Sequence, residues 1–329
     1  MMRDMSISRR ACIGLATLIP GLAAPPVRAQ DFPARAVRII TPLSAGSQAD
    51  LLARMVAQKL AETWGRPVVV ENHAGGAGQV AGQLLLRSPA DGHTLMLHSD
   101  GHVVSAAVYG EQLAYDTLRD FARVSQVASS PSVLVVGPGL GIRSVAALVA
   151  LGRSRAGGLS FGSAGVGGGL HFTGEMFKQS TGIEATHIPF RGTPEALTET
   201  MAGRIDFTFS SLQPALPLMA AGNLLALAVS SPQRSPVLPQ LPTVAESGYP
   251  GFGYDLWWGL FAPSPTPAPI QDGISRDVAR VLAQPELRQR LLDQGIVPVG
   301  STPAAFDAFV RAEVPRLRDV ARVAGIRPG

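Results

Sequence analysis

The sequence predicts an α/β protein built from parallel strand–helix units. From Ala36 onward, short β-rich runs alternate with helical patterns. Hydrophobic residues make up 46% of the chain and charged residues 16%, against about 25% charged in an average globular protein, so this is a folded, apolar-rich chain. Its 329 residues suffice for two domains with well-buried cores.

The first unit is VRIITPLSAGSQADLLARMVAQKLAETWG. Val37 to Thr41 reads as a strand, a Gly/Ser loop follows, and Leu51, Leu52, Met55, Val56, Leu60 and Trp64 recur at helical spacing. Asp50 falls in or just before the first turn, where its charge suits the helix dipole. The second unit runs from VVVE (68–71) through the glycine loop NHAGGAG and a helix over Gln79 to Arg87, to the strand HTLMLHS. Val133 to Val136 predicts another buried strand, ended by GPGLG. LSFGSAG then leads from a strand into a second glycine loop and a helix over His171 to Ser180.

Thr193-Pro194-Glu195 predicts a helix start, with Thr193 as N-cap and proline at the first helical position. That helix stops at Gly203 before the strand IDFTFS, and a helix over Pro214 to Ala221 and the strand LLALAVSS follow. SPQRSPVLPQLPTVAESGYPGFG is proline-rich loop, too regular in pattern for a flexible linker. WWGLFAP returns to a strand. Helices over Ile270 to Ala283, Pro285 to Gln294 and Thr302 to Ala324 complete the chain, the last with an expected kink at Pro315.

Residues 1–29 read as an export signal: Arg3, Arg9 and Arg10, an apolar run from Ala11 to Ala24, and Val27-Arg28-Ala29 as a small-residue cleavage site. Ser8-Arg9-Arg10-Ala11-Cys12-Ile13 matches a twin-arginine motif, and a Sec route stays open. Cys12 is the only cysteine, so a chain cut after Ala29 has neither disulfides nor thiol chemistry. The cut also leaves 24 basic and 23 acidic residues. With Lys59 and Lys178 as the only lysines and no basic run, a nucleic-acid surface is not expected.

Three motif matches fail on context. GLSFG (158–162) has the letters of a nucleophile elbow, but Ser160 sits inside the strand-like LSFGS, not on a strand-to-helix turn. Gly76-Ala77-Gly78-Gln79-Val80-Ala81 fits a dinucleotide fingerprint with Asp100 near the ribose position, yet the loop Asn72 to Gly75 separates it from its strand. His98, Asp100 and His102 can be drawn as a metal cluster, but they read as polar residues of one loop without ligand spacing.

The glycine loops point elsewhere. GSAGVGGGLHF (162–172) places five glycines in eight residues ahead of a helix. Glycines let main-chain N–H groups approach an anion, with the positive end of the helix behind them.

The series VRIITPLSAGSQAD, VVVENHAGGAG, PADGHTL, YDTLRDFARVSQVA, LSFGSAGVGGGLHFTGEMF, HIPFRG, GRIDFTFSSL, LAVSSPQRSPVLPQLPTVAESGYPGF and WWGLFAP resembles, in order and spacing, the tripartite tricarboxylate transporter substrate-binding receptors, the Bug family. The resemblance implies a two-lobed periplasmic-binding-protein fold of type II-like, Venus-flytrap form, with no enzymatic activity, cofactor or metal. One lobe would comprise residues 31 to about 127 plus about 255 to 329, the other about 128 to 254, with strands near Val124 to Val136 and Tyr254 to Ala262 as hinge. It also implies a small carboxylated solute and membrane permease subunits as partners of a monomeric protein. A sensor on the same fold that presents its ligand to a signalling partner, and a dinucleotide-binding oxidoreductase, are the alternatives.

By the same resemblance, Ser44, Ala45, Gly46 and Ser47 hold one end of the ligand with ordered water. Ser163, Ala164, Gly165, Gly167, Gly168, Gly169 and His171 grip a carboxylate from the other lobe. Asp50, Ser99, Asp100, Phe190 and Ser210 complete the candidate set. The chain departs from the pattern where Gly46-Ser47 replaces paired glycines, where Gly168, Gly169 and Leu170 replace hydroxyl residues, and at Ser210, where an acid or amide is frequent. Several candidates carry a structural alternative. Asp50 reads equally as a mere helix cap, His171 as a helix-start residue and Phe190 as core; Arg191 either faces solvent, pairs with Asp206 or touches ligand; at most one of Trp257 and Trp258 faces the cleft.

Overall fold

The computed structural model describes residues 32–327. The export segment lies outside the described residues. The chain opens with three parallel strand–helix units: β1 (Val37–Thr41) and α1 (Gln48–Trp64), β2 (Val68–Asn72) and α2 (Gln79–Leu86), β3 (Thr94–Ser99) and α3 (Gly101–Tyr109). The stretch after them is one strand, β4 (Phe121–Val136), which takes in both the four-residue run at its end and the hinge strand expected near Val124 to Val136. Next come α4 (Val145–Ser154), β5 (Leu159–Ser163), α5 (Gly169–Thr181), β6 (Ala185–Pro189), α6 (Thr193–Met201), β7 (Phe207–Ser211), α7 (Leu212–Ala220) and β8 (Leu225–Val229). After the proline-rich segment the chain returns as β9 (Asp255–Pro263), α8 (Ala268–Leu282), α9 (Pro285–Asp293), β10 (Val297–Pro298) and α10 (Pro303–Ala324).

The strands form two sheets joined through β4. One has the order β2-β1-β3-β9-β4, with β10 also on β4; the other has β4-β7-β5-β6, with β8 also on β4. From Phe121 to Pro131, β4 pairs antiparallel with β9; from Ser132 to Val136 it pairs with β7 and β8. Pro131 stands at the hand-over, where a residue without an N–H costs no ladder bond inside either sheet. The return crossing differs from the expected second shared strand: β9 ladders only with β3 and β4. Its link to the other sheet is local, Tyr254 N–H donating to the Ser230 carbonyl (2.9 Å) and Ser230 Oγ to the Tyr254 carbonyl (2.6 Å).

Two helices carry no clear signal in the sequence. α3 buries Val103 and Val104, but its polar, glycine-led start hides the pattern. α4 is capped by Ser144, whose hydroxyl accepts from the Ala147 N–H at 3.2 Å. Two expectations are corrected. The N-cap of α6 is Gly192 and Thr193 is already helical, with the Arg191 N–H donating to Glu195 Oε2 (3.1 Å). His98, Asp100 and His102 do not share a loop, since His98 is in β3 and His102 in α3, both buried.

The proline-rich segment is ordered loop. Thr243 N–H donates to Glu246 Oε2 (2.9 Å) while Glu246 N–H donates to Thr243 Oγ1 (3.0 Å), and Val244 is fully buried. α10 runs through Pro315 and lays Phe306, Val310, Val314, Leu317 and Val320 on the core at helical spacing. Among the described residues no helix is long and apolar enough to cross a membrane.

Candidate functional site

The first loop joins β1 to α1. Gly46 adopts φ +78°, which glycine tolerates without strain, and the Ser47 N–H closes a turn on the Ser44 carbonyl (3.1 Å). Ser47 caps α1, its hydroxyl accepting from the Asp50 N–H (3.3 Å). Asp50, only 3% exposed, anchors the loop: Oδ2 accepts from the Gly46 N–H (2.9 Å) and Arg54 Nε (3.0 Å), Oδ1 from Asn72 Nδ2 (2.9 Å). Burial by itself would raise the Asp50 pKa; the bonds from Arg54, Gly46 and Asn72 outweigh it and hold the carboxyl below the ordinary carboxylate value. Asp50 therefore spends its oxygens on the protein. The amides of Ala45, Gln48 and Ala49 donate to no protein group among the described residues.

The second loop joins β5 to α5. Ser163 Oγ donates to the Gly165 carbonyl (3.0 Å) and lies 2.7 Å from His187 Nε2. Gly167 N–H donates to His171 Nδ1 (3.0 Å), and His171 Nε2 faces Glu175 Oε1 at 3.7 Å. His171 thus spends Nδ1 on the loop at the helix start, and Gly169, expected in the loop, is the first residue of α5 behind the N-cap Gly168. The half-buried Phe190 is tied in through its N–H on the Ser163 carbonyl (2.9 Å). Ala164, Gly165 and Gly168 keep amides that donate to no protein group among the described residues.

His187 has no motif of its own in the sequence, since only its fold neighbours give it a role. Burial, then the neighbouring His171, lowers its pKa to about 4, so it is neutral at pH 7. A serine hydroxyl 2.7 Å from an imidazole is the spacing of a nucleophile–base pair, yet no carboxylate bonds His187 among the described residues. Ser160 is remote from such chemistry: its hydroxyl donates to Asp206 Oδ2 (3.0 Å) within β5. Asp206 pairs with Arg155 (2.5 Å), and Arg191 is exposed, so of the alternatives for Arg191 the pair with Asp206 does not form.

The two halves meet at the C-terminal ends of their parallel strands. β3 lies beside β1 and ends at Ser99, whose hydroxyl accepts from the Gly101 N–H (3.1 Å). The Asp100 N–H donates to the Trp257 carbonyl (2.9 Å), and Asp100 Oδ2 accepts from the Tyr254 hydroxyl (2.7 Å). Burial raises the Asp100 carboxyl to about 6, against the hydrogen bond from Tyr254. A Cβ placed on Gly169 would lie under 3.0 Å from Asp100 Oδ2, so α5 and the end of β3 are in contact.

Beside this junction is a pocket of about 220 Å³, lined by Ala77, Ser105 and Tyr109 from one half and Val166 and Gly167 from the other, with Arg327 at its edge. Ser210, the penultimate residue of β7, is fully buried, its hydroxyl donating to the Ser211 carbonyl (2.8 Å). Trp257 and Trp258 are both buried. A larger depression, about 680 Å³, is lined by Leu113 to Asp120 and Arg318 and includes none of the candidate residues. The buried, Tyr254-bonded Asp100 is not disposed to take a ribose, which removes the main support for the dinucleotide reading.

Residues 52–326 match the family model described as the tripartite tricarboxylate transporter family receptor. The chain belongs to this receptor family. The receptor is 33% identical to protein BugT of Bordetella pertussis over 318 residues, covering 96% of this chain and 97% of the relative. Among solved structures it resembles R. palustris Rpa4515 with adipate, at 34% identity and a TM-score of 0.76 over 91% of this chain and 100% of the other. MatC from Rhodopseudomonas palustris with bound malate is 30% identical, with a TM-score of 0.71 over 88% and 99%. The receptor accordingly has the mixed α/β fold of periplasmic binding proteins and is a non-enzymatic solute-binding protein.

Proposed function

We propose that this receptor captures a small carboxylate-containing solute between two lobes and delivers it to the membrane subunits of a tripartite transporter. Residues 31–127 with 255–329 would form one lobe and 128–254 the other, in keeping with the passage of β4 from one sheet to the next. Export to the periplasm, with loss of residues 1–29, belongs to the same reading.

The observation that supports the proposal is a pair of loops, each between a parallel strand and a helix, with amides that no protein group takes among the described residues: Ala45, Gln48 and Ala49 in one, Ala164, Gly165 and Gly168 in the other. Two helix N-termini behind them favour negative charge. Hydrogen bonds to a charged group contribute about 1.5–3 kcal/mol each. A micromolar site needs about 8 kcal/mol, so four or five contacts suffice after the cost of closure. Adipate in one relative and malate in another support a carboxylate as the guest.

A thermal-shift series of mono-, di- and tricarboxylates and aromatic acids tests this. A true ligand at a hundredfold excess over its Kd stabilises the native state by about 2.7 kcal/mol. A shift with NAD, and none with any carboxylate, would refute the assignment.

A further inference from the structure

Gly169 is the first residue of α5 and Asp100 follows the last residue of β3, so their contact spans the two halves of the fold. Nothing in the backbone at 169 demands glycine, because its φ lies outside the left-handed region. Alanine is the better helix former there. What demands glycine is the space: a Cβ would fall under 3.0 Å from Asp100 Oδ2 and 2.7 Å from Leu256 Cδ2. The leucine terminus is half-buried and can turn aside. The carboxylate cannot, since the Asp100 N–H is held by the Trp257 carbonyl and Oδ2 by the Tyr254 hydroxyl. Tyr254 is itself buried, tied to Ser230 through its N–H, with its ring 5.8 Å from the Arg316 guanidinium.

We propose that Asp100 is a positioning residue that sets how closely the second glycine loop approaches the first lobe, and that Gly169 is its matched counterpart. The carboxylate occupies the volume that any side chain at 169 would need. A longer residue at 169 drives α5, and with it the amides of Ala164, Gly165 and Gly168, away from the Ser44–Ser47 loop. The inference rests on the two-lobe reading above.

A mutant cycle in the full chain tests it with Gly169→Ala, Asp100→Ala and the double variant, followed by thermal melting and small-angle scattering without ligand. Gly169→Ala is expected to lower the melting temperature by a few degrees and to enlarge the radius of gyration in the wild-type background. In the Asp100→Ala background the same change should raise the melting temperature, because the methyl enters vacated space and the helix gains a better residue. Tyr254→Phe, which frees the carboxylate to swing, should lessen the loss caused by Gly169→Ala and serves if Asp100→Ala fails to fold. Equal effects of Gly169→Ala in all backgrounds, or an unchanged radius, would overturn the proposal. The melting cycle needs no ligand, so it can fail while the carboxylate series succeeds, and the reverse.

Discussion

The imidazole of His171 lies 3.7 Å from that of His187, the rings within 15° of parallel. One ring receives the Gly167 N–H and the other bonds the Ser163 hydroxyl, so the stack pins the second glycine loop at both ends. Removing either ring loosens a loop whose amides are the proposed anion grip. His187→Ala should therefore weaken carboxylate binding about five- to tenfold, the equivalent of one neutral hydrogen bond or slightly more. Titration calorimetry with whichever acid emerges from the thermal-shift series reads this directly; an unaltered Kd would mean that loop order is immaterial to binding.

Asp50 gives a stability prediction. Asp50→Ala leaves Gly46, Arg54 and Asn72 without their shared acceptor and should cost about 2–4 kcal/mol at pH 7. Because the native pKa is lowered, this contribution is present above the unfolded value of 3.8 and is lost as pH falls through the native one. Urea denaturation of mutant and wild type should converge in strong acid and stand apart at neutrality.

Asp255 has the opposite sign. Its Oδ1 is buried without a partner among the described residues, and burial, then the Glu313 carboxylate, raises the carboxyl from 3.8 to about 7. The native state holds this proton more tightly than the unfolded chain, so stability is full below 3.8 and declines as pH rises toward 7. Asp255→Asn cannot ionise. It should exceed wild type by at least about 1 kcal/mol at pH 8 and lose that advantage near pH 4; a pH-independent difference between the two would contradict the assignment.

His102 is fully buried, with its ring 4.7 Å from Phe121 and 4.5 Å from Phe261 and both nitrogens unpartnered among the described residues. Burial, then His98 and Arg123, lowers its pKa well below 6.5, so the unfolded chain takes up the proton first and stability is lost as pH drops below 6.5. His102→Phe should be neutral or stabilising at pH 7 and gain about 1–2 kcal/mol over wild type by pH 5. Melting curves across that range suffice; parallel curves would exclude the titration.

The periodic elements are legible in the sequence because their signals are local. The apolar spacing of α1, the apolar run in HTLMLHS and the glycines before α5 each state one element without reference to any other. The hidden parts depend on residues distant in sequence. Ser163 and His187 are 24 positions apart and meet only because β5 and β6 lie side by side. Asp100 looks like a polar loop residue until Tyr254, 154 positions away, and α5 close over it. α3 is hidden because a histidine buried among aromatic rings reads, in one dimension, as a polar interruption.

The first eleven residues of β4 are stitched to one sheet and its last five to the other, with Pro131 at the seam. In the two-lobe reading such a strand would be an axle, about which either side could swivel with the rungs of both ladders kept. A swing about it would cost few main-chain bonds, and its amplitude would be left to whatever is wedged at the rim, the proposed guest or the receptor's own side chains.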